Sequence, residues 1–431
     1  ADCFGVLNVS TGKSALFVPR LPADYAIWMG KIASLADFKS KYEVDEVLYV
    51  DDIPSFVQGT KPDLIFVYSG QNSDSKAMGV PAKFEGIEQY KLEEQALHEA
   101  LFEARVTKSV KELEVLKYTN RLSSEAHIAV MQQVRAGMME YQMEALFNHY
   151  CYYVGGMRKQ SYTAICGCGP NGAVLHYGHG GAPNNRRLRA GAMVLNDMGA
   201  EYYCYASDIT CSFPVGGRFT EEQRGIYEAV LDASLAVMRA MRPGVAWGAM
   251  HELAERVLLE GLVAMGVVVV PPGGMQELVD ANVAALFMPH GLGHLLGLDT
   301  HDVGGYPKGA VRATRAGLRS LRSVRPLAAG MVLTVEPGCY FVPALLEPAF
   351  DHPVQGPLLC AARLRPLLGF GGVRIEDDVA VTVGGIELLT TVPRTVAEIE
   401  AAMSGRDFPL PPAETDYPIP RPNPIRVRPS A

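Results

Sequence analysis

The chain lacks the features that mark several specialised classes of protein. It has no run of about 20 apolar residues, the length that a membrane span needs. Its densest apolar run, residues 267–270, stops at Pro271. It has no long Lys or Arg run, and its formal net charge is −8. We therefore predict no membrane segment and no nucleic-acid partner.

Cysteine is also scarce, with eight residues in a chain of 431. Cys166 and Cys168 lie two positions apart, a spacing that suits neither a disulfide nor a zinc knuckle. This usage predicts reduced thiols and a cytoplasmic protein. No signal peptide is recognisable, and because the chain begins at Ala1 without an initiator Met, we expect it to be a fragment.

Three common enzyme signatures are missing as well. The Gly-x-Ser-x-Gly turn of α/β-hydrolases does not occur. His290 and His294 have the spacing of a zinc-protease helix, but no Glu follows the first His, and two intervening glycines disfavour a helix. Residues 12–14 read Gly-Lys-Ser but lack the upstream glycine and the strand-to-helix context of a phosphate loop. All three types of site are therefore disfavoured.

The pattern of apolar residues divides the chain into three parts. Residues 1–105 predict a small α/β domain that opens with a hairpin over residues 4–18, and residues 106–404 predict an α+β domain. Residues 405–431 contain eight prolines and predict an extended tail without a core role. Residues 341–369 are Pro-rich and predict an irregular surface excursion. In the second domain, periodicity predicts helices over residues 111–137, 140–150, 221–241 and 251–265, and strands over 192–198, 202–213, 332–335 and 373–383.

Histidines and acidic residues are distributed unevenly. Five of the ten histidines fall in two short stretches, residues 175–180 and 288–302. Four carboxylates stand in apolar, strand-like runs, and they are Asp197, Asp208, Glu336 and Glu376. A buried, unpaired carboxylate costs several kcal/mol, and converging carboxylates repel one another. We therefore expect cations among these side chains.

Two divalent ions balance four carboxylates, and one neutral His completes a donor set that suits Mn²⁺, Co²⁺ or Zn²⁺. Two ions about 3.5–4 Å apart can bridge a water, lower its pKa and polarise a scissile carbonyl. The sequence thus predicts a metal-dependent hydrolase that needs no Ser or Cys nucleophile.

The order and context of these residues resemble the pita-bread metallopeptidases, a family that includes methionine aminopeptidase, aminopeptidase P, prolidase and creatinase. Within the family, residues 201–214, 288–294, 301–307, 317–322 and 369–378 are similar to the eukaryotic prolidase branch. The resemblance implies a pita-bread catalytic domain after a smaller, N-terminally truncated α/β domain. It also implies hydrolysis of Xaa-Pro dipeptides, two metal ions that are usually Mn²⁺, and a homodimer.

The resemblance further implies a role for individual residues. The metal ligands would be Asp197, Asp208, His294, Glu336 and Glu376, with Asp208 and Glu376 bridging and Glu336 also shuttling the proton. The residues that contact or orient the substrate would be His176, His301, Arg322, Tyr162, Arg374 and Trp28. His176 and His301 would stabilise the tetrahedral intermediate, and Arg322 would pair with the substrate carboxylate. Tyr162 and Arg374 would support the ligands, and Trp28 would approach the partner's active site.

Other readings remain open at this point. An aminopeptidase P-like enzyme would act on longer Xaa-Pro peptides, and a catalytically impaired relative would only bind. His179 and His290 are expected to order their own loops. Asn196 and Ala200 depart from the family pattern beside Asp197, and we expect the larger side chain at Ala200 to strain a close turn.

Overall fold

The computed structural model of the protein describes residues 2–72, 75–411, 415 and 417–422. The chain forms two compact units, one up to Phe102 and one from Glu103 onward. The first unit contains β1 (Phe4–Leu7), β2 (Ser14–Val18), α1 (Tyr25–Met29), α2 (Leu35–Lys41), β3 (Glu46–Tyr49), α3 (Ile53–Thr60), β4 (Ile65–Phe66) and β5 (Leu92–Glu93), and α4 (Ala96–Val106) begins in it.

The first unit is a small α/β fold. β1 and β2 form the predicted antiparallel hairpin, and β3 adds to β2 in parallel. Phe17 on the sheet packs with Ile53 and Val57 on α3, which makes a compact core of its own. The strand β4 has only two residues and pairs in parallel with β5.

The second unit holds the remaining elements. Its helices are α5 (Val110–Gln133), α6 (Glu140–Gly155), α7 (Glu221–Ala240), α8 (Trp247–Ala264), α9 (Met275–Asp280), α10 (Ala284–Phe287), α11 (Pro343–Phe350), α12 (Ala361–Leu364) and α13 (Val396–Met403). Its strands are β6 (Lys159–Gln160), β7 (Ile165–Cys168), β8 (Met193–Asp197), β9 (Ala200–Tyr202), β10 (Tyr205–Ala206), β11 (Thr210–Pro214), β12 (Val332–Val335), β13 (Gly338–Tyr340), β14 (Gly372–Arg374), β15 (Asp377–Thr382) and β16 (Gly385–Leu388).

The four predicted helices of this unit are confirmed as α5 to α8. Local signals fix the starts of two of them, because Ser109 with Glu112 and Thr220 with Gln223 form capping boxes at α5 and α7. α7 packs along α8, and its apolar face lies over the strands. Within the described part of the chain, no helix is both long and apolar enough to cross a bilayer.

The strands form short antiparallel sheets that carry the predicted site. β8 lies between β7 and β11, β15 lies between β12 and β16, and β13 pairs with β14. Two predicted strands are wrong as continuous elements. The strand predicted over residues 202–213 is interrupted by a turn between β9 and β10, where Tyr203 and Cys204 both have positive φ. The strand predicted over residues 373–383 breaks after Arg374, because β14 and β15 pair with different strands.

Two Pro-rich segments are more ordered than their composition predicts. Residues 341–369 include α11 and α12, and they bury Leu346 and Leu364 completely. In the described part of the tail, Tyr417 and Ile419 pack against the main core. The expectation of a surface excursion and of a tail without a core role is therefore wrong for these residues, since apolar side chains between the prolines find a buried surface.

Removing the cap of α7 should destabilise the second unit. The Thr220 hydroxyl accepts a hydrogen bond from the backbone of Gln223 at 3.2 Å. Thr220→Ala loses this bond, so the free energy of unfolding should fall by about 1 kcal/mol. Urea unfolding followed by fluorescence of the fully buried Trp247 measures it. Thr314→Ala, at an exposed position, is the control, and an equal effect of both substitutions would contradict the prediction.

Candidate metal centre

The strand ends place the four predicted carboxylates at one site. Asp197 is the last residue of β8 and pairs in register with Thr210, the first residue of β11. Asp208 precedes that residue by two positions. Glu336 directly follows β12, and Glu376 lies in the break between β14 and β15. The break that interrupts the predicted strand is therefore what turns Glu376 toward the site.

Donor atoms of these residues converge in three overlapping groups, each within 4.8 Å. The groups are Asp197, Asp208 and Glu376; His294, Glu336 and Glu376; and Asp208, His294 and His301. All five predicted ligands thus come together, and Asp208, Glu376 and His294 each belong to two groups. Their individual roles stay predictions.

His294 is oriented as a ligand would be. Its Nδ1 lies 3.0 Å from the carbonyl oxygen of Leu295, and its Nε2 lies 3.3 Å from Oδ2 of Asp208 and 3.5 Å from Oε1 of Glu336. With Nδ1 donating to the carbonyl, Nε2 would supply its lone pair to a bound metal once its proton is displaced. The preceding Gly293 is required here, since a Cβ on it would lie 2.1 Å from the carbonyl oxygen of Thr334.

The carboxylates are buried, so their charged forms are unfavourable unless cations balance them. Asp197 is 8% exposed and Glu376 is 2% exposed. Burial raises the pKa of Asp197 to about 7, although Arg374 opposes the shift. Burial and the charge of Asp208 raise the pKa of Glu376 well above its usual value. Divalent cations remove this repulsion, so the donor set fits them.

Arg374 and Tyr162 contact a predicted ligand directly. Nη2 of Arg374 donates to Oδ2 of Asp197 at 2.5 Å, and the Tyr162 hydroxyl donates to Oδ1 at 2.5 Å. Arg374 also donates to the hydroxyls of Thr210, at 3.0 Å, and Tyr340, at 2.8 Å. Both side chains therefore contact Asp197 directly, while their predicted roles as supports and in substrate binding stay predictions.

The other predicted substrate residues differ in their surroundings. The ring centroids of His301 and His294 lie 4.5 Å apart, with 82° between the ring planes. Burial lowers the pKa of His301 to about 3. His176 is exposed; partial burial and the charge of Arg374 lower its pKa. Burial also lowers the pKa of Arg322. Trp28 belongs to the first unit and is 83% exposed there.

The two histidines expected to order loops make contacts of that kind. His290 is hydrogen-bonded through Nδ1 to the carbonyl of Gly291 and through Nε2 to the Tyr340 hydroxyl, at 2.8 and 2.9 Å. His179 accepts a hydrogen bond from the backbone of Gly181 at 3.0 Å.

Three further residues support the ligands and were missed in the sequence. The Thr210 hydroxyl donates to Glu376 at 2.6 Å, and the Thr334 hydroxyl donates to Glu336 at 3.2 Å. Asp378 accepts a hydrogen bond from the backbone of Asp208 at 2.9 Å. A signal was available for the threonines, because each stands two positions from an acidic residue, the spacing that puts side chains on one face of a strand.

The expected strain at Ala200 is wrong. Ala200 lies within β9 and is not among the described residues with positive φ. The close approach occurs one residue earlier, where a Cβ on Gly199 would lie 1.8 Å from the carbonyl oxygen of Ser207. The neighbouring Asn196 is fully buried and directs its amide to the Met143 sulfur at 3.5 Å.

Comparison with known families defines the class of protein. A model described as Metallopeptidase family M24 matches residues 114–383, and one described as Aminopeptidase P, N-terminal domain matches residues 1–68. The chain therefore belongs to metallopeptidase family M24. The predicted pita-bread catalytic domain with a smaller preceding domain, and the prediction of a metallopeptidase that uses divalent ions, are confirmed.

Individual relatives cover most of the chain. It is 56% identical to the Xaa-Pro dipeptidase of Homo sapiens over 94% of its own length and 82% of that protein, and 55% identical to the Xaa-Pro dipeptidase of Rattus norvegicus over 96% and 83%. Among solved structures, it is similar to the aminopeptidase PepP of Pseudomonas aeruginosa, with a TM-score of 0.71 and 32% identity over 91% of this chain and 83% of that one. A zinc-substituted aminopeptidase P of Escherichia coli with bound product gives 0.70 and 31% over the same shares.

Binding of a divalent ion should release protons and strengthen as the pH rises. Burial opposes the charged form of His294, but the hydrogen bond to Asp208 and the charge of Glu336 raise its pKa to about 9. Asp197, with its pKa near 7, is also partly protonated at neutral pH. An ion must displace these protons, so its affinity should rise by up to roughly tenfold per pH unit for each proton released.

Calorimetric titration with Mn²⁺ in two buffers of different ionisation enthalpy measures the proton release directly. Repeating the titration between about pH 6 and 8 gives the slope of affinity against pH. Binding that is independent of pH, with equal heats in both buffers, would contradict the prediction.

Proposed function

We propose that the protein is a metal-dependent dipeptidase that hydrolyses Xaa-Pro dipeptides. The observation that carries the proposal is the convergence of four carboxylates and one imidazole within the three donor groups of the metal centre. Such an oxygen-rich set around one His suits divalent ions. The substrate class is supported by identities of 55–56% to relatives named Xaa-Pro dipeptidase.

The predicted ligands are proposed to hold two ions, with Mn²⁺ at both positions and Co²⁺ or Zn²⁺ as the alternatives. Asp208 and Glu376 are proposed to bridge, since each takes part in two donor groups and, unlike His294, has two oxygens to share between two ions. Asp197, His294 and Glu336 complete the set. Bound there, two divalent ions lower the pKa of water and polarise a scissile carbonyl.

Glu336 is proposed to carry the proton from water to the leaving group. Burial raises the pKa of its carboxyl, and the Thr334 hydroxyl holds Oε1 at 3.2 Å. The nitrogen of an Xaa-Pro bond has no hydrogen, so it needs one proton to leave as a secondary amine. A carboxyl with a raised pKa can accept that proton from water and return it to the nitrogen.

His301 and His176 are proposed to donate hydrogen bonds to the oxygen that becomes negative in the tetrahedral intermediate. The pKa of His301 is about 3, so its ring is neutral and keeps one N–H at working pH. Donors that face a developing charge in a water-poor site lower the barrier substantially.

Arg322 is proposed to bind the C-terminal carboxylate of the dipeptide. A guanidinium can grip a carboxylate through two parallel hydrogen bonds, which distinguishes a free end from a continuing chain. Arg322 lies close enough to Glu336 for the charge of that carboxyl to act on its pKa. The carboxylate would thus sit near the proposed proton carrier, as a two-residue substrate requires.

The second candidate function is that of an aminopeptidase acting on longer Xaa-Pro peptides. It is favoured by the solved structures named aminopeptidase P, which resemble the chain at 31–32% identity. The higher identity to the dipeptidases favours the first candidate.

A homodimer and a cytoplasmic location are proposed as well. Three consecutive apolar side chains on α1 are exposed, Ile27 by 75%, Trp28 by 83% and Met29 by 66%, and such a patch suits a contact with a second copy. Trp28 could then reach the partner's substrate, as the family resemblance implies. All eight cysteines are free, which suits a reducing compartment.

The metal-free protein should hydrolyse Gly-Pro only after Mn²⁺ is restored. His294→Ala should abolish turnover, because the imidazole donor is lost, whereas His149→Ala, at an exposed position on α6, should not change it.

A tripeptide such as Gly-Pro-Ala should be cleaved at least roughly tenfold more slowly than Gly-Pro, a difference of about 1.4 kcal/mol. A tripeptide preference would instead support the aminopeptidase.

Arg322→Gln should raise KM for Gly-Pro roughly 100-fold, because one charge-assisted fork is lost. Gly-Pro amide, which lacks the carboxylate, is the control substrate. The wild-type enzyme should be less active on the amide than on Gly-Pro, and on the amide the variant should be as active as the wild type. A variant that is equally impaired on both substrates would show that Arg322 does not bind the carboxylate.

A further inference from the structure

A fully buried arginine lies directly behind the metal centre. Arg394 is 1% exposed, and its Nη1 donates to the carbonyl oxygen of Thr210 at 2.8 Å. Its Nη2 donates to the carbonyl oxygen of Glu376 and to Oδ1 of Asp377, the latter at 2.9 Å. One guanidinium therefore holds two backbone segments together.

Both segments carry proposed ligands. Thr210 follows Asp208 by two residues and pairs in register with Asp197, while Glu376 is itself a proposed ligand. Because Arg394 bonds the carbonyls and not the carboxylates, it fixes the spacing of the ligand-bearing backbones and leaves the donor atoms free. This is the arrangement expected of a positioning residue.

The backbone of Arg394 is held in turn by Glu398. Oε2 of Glu398 accepts hydrogen bonds from the N–H of Arg394 at 3.0 Å and from that of Thr395 at 3.1 Å, which closes the capping box of α13. The side chain of Glu398 is completely buried. Burial alone would raise its pKa, but Arg421 holds the pKa at about 2.

Arg421 comes from the Pro-rich tail. Its Nη1 and Nη2 donate to Oε1 and Oε2 of Glu398 at 2.7 and 2.8 Å, a two-point ion pair. The guanidinium stacks over the rings of Tyr417 and Phe408, 4.1 and 5.1 Å from their centroids. Only 13% of its side chain is exposed, so the pair is largely removed from water.

We propose that the tail supports the metal centre through a buried relay in which Arg421 binds Glu398, Glu398 binds the backbone of Arg394, and Arg394 fixes the segments that carry Asp208 and Glu376. The proposal rests on the ligand set of the proposed function. Losing one partner of a desolvated ion pair leaves an uncompensated buried charge, and the surroundings must move to hydrate it. The residue that moves first is Glu398, which is bonded to Arg394.

The test measures the dissociation constant of Mn²⁺ by calorimetry on the full chain, together with the melting temperature and Gly-Pro turnover. Arg421→Gln removes the charge, and Arg421→Lys keeps it but loses the two-point geometry. Arg218→Gln is the matched control, because Arg218 pairs with Glu400 on the same helix at 2.6 Å but is 81% exposed.

Arg421→Gln should weaken Mn²⁺ binding about tenfold, the lower end of what losing an indirect ligand support costs. Arg421→Lys should lie between this variant and the wild type, and Arg218→Gln should bind within about twofold of the wild type. Arg394→Lys, which cannot span both carbonyls, should weaken binding more than Arg421→Gln does.

Unchanged Mn²⁺ affinity in folded Arg421→Gln would overturn the relay, even if its melting temperature falls. If that variant does not fold, wild-type affinity in Arg421→Lys overturns the relay by the same criterion. Failure of the wild-type protein to bind Mn²⁺ would refute the proposed function itself, so the two failures are distinguishable.

Discussion

The constraint on which the second unit depends is the burial of several carboxylates in one small volume. Asp197, Asp208 and Glu376 bring their oxygens within 4.8 Å of one another at positions almost closed to solvent. Carboxylates so placed must be protonated or balanced by cations. Burial raises the pKa of Asp197 to about 7 and that of Glu376 well above its usual value, which expresses this cost in the ion-free protein. A ligand of opposite charge that binds this donor set in the folded state stabilises the fold.

The surrounding structure meets the constraint by holding the ligands through their neighbours. Thr210 and Thr334 supply hydroxyls to carboxylate oxygens, Tyr162 and Arg374 share Asp197, and the tight backbone at Gly293 sets the position of His294. These contacts orient each donor and use only part of its capacity to accept hydrogen bonds. The strand ends matter for the same reason, because a residue just beyond a ladder can turn toward the site while the ladder fixes its backbone.

Much of this could be predicted from the sequence, and what could not has a common cause. The starts of α5 and α7 are encoded locally by capping boxes. The four carboxylates of the site can be recognised because they lie in apolar runs of the sequence. The break after Arg374 could not be read, because it arises where β14 and β15 pair with different strands. The core contacts of Tyr417 and the pairing of Arg421 with Glu398 likewise depend on residues that only the tertiary fold brings together. The proline content predicted an extended tail but carried no information on what the residues between the prolines contact.

The charges around the site form two layers. The inner layer consists of the proposed ligands and carries excess negative charge, whereas the outer layer, behind them, contains acids paired with arginines. In the inner layer one arginine, Arg374, is shared by two carboxylates, Asp197 at 2.5 Å and Glu376 at 4.0 Å. In the outer layer two acids are matched, Asp377 by Arg394 and Glu398 by Arg421. Leaving the inner layer unbalanced creates the attraction for cations, since potentials in a buried pocket are weakly screened. Balancing the outer layer prevents the same repulsion from spreading into the backbone that supports it. The arginines therefore lie where they rigidify the site from behind, and the negative charge is left where ions can reach it.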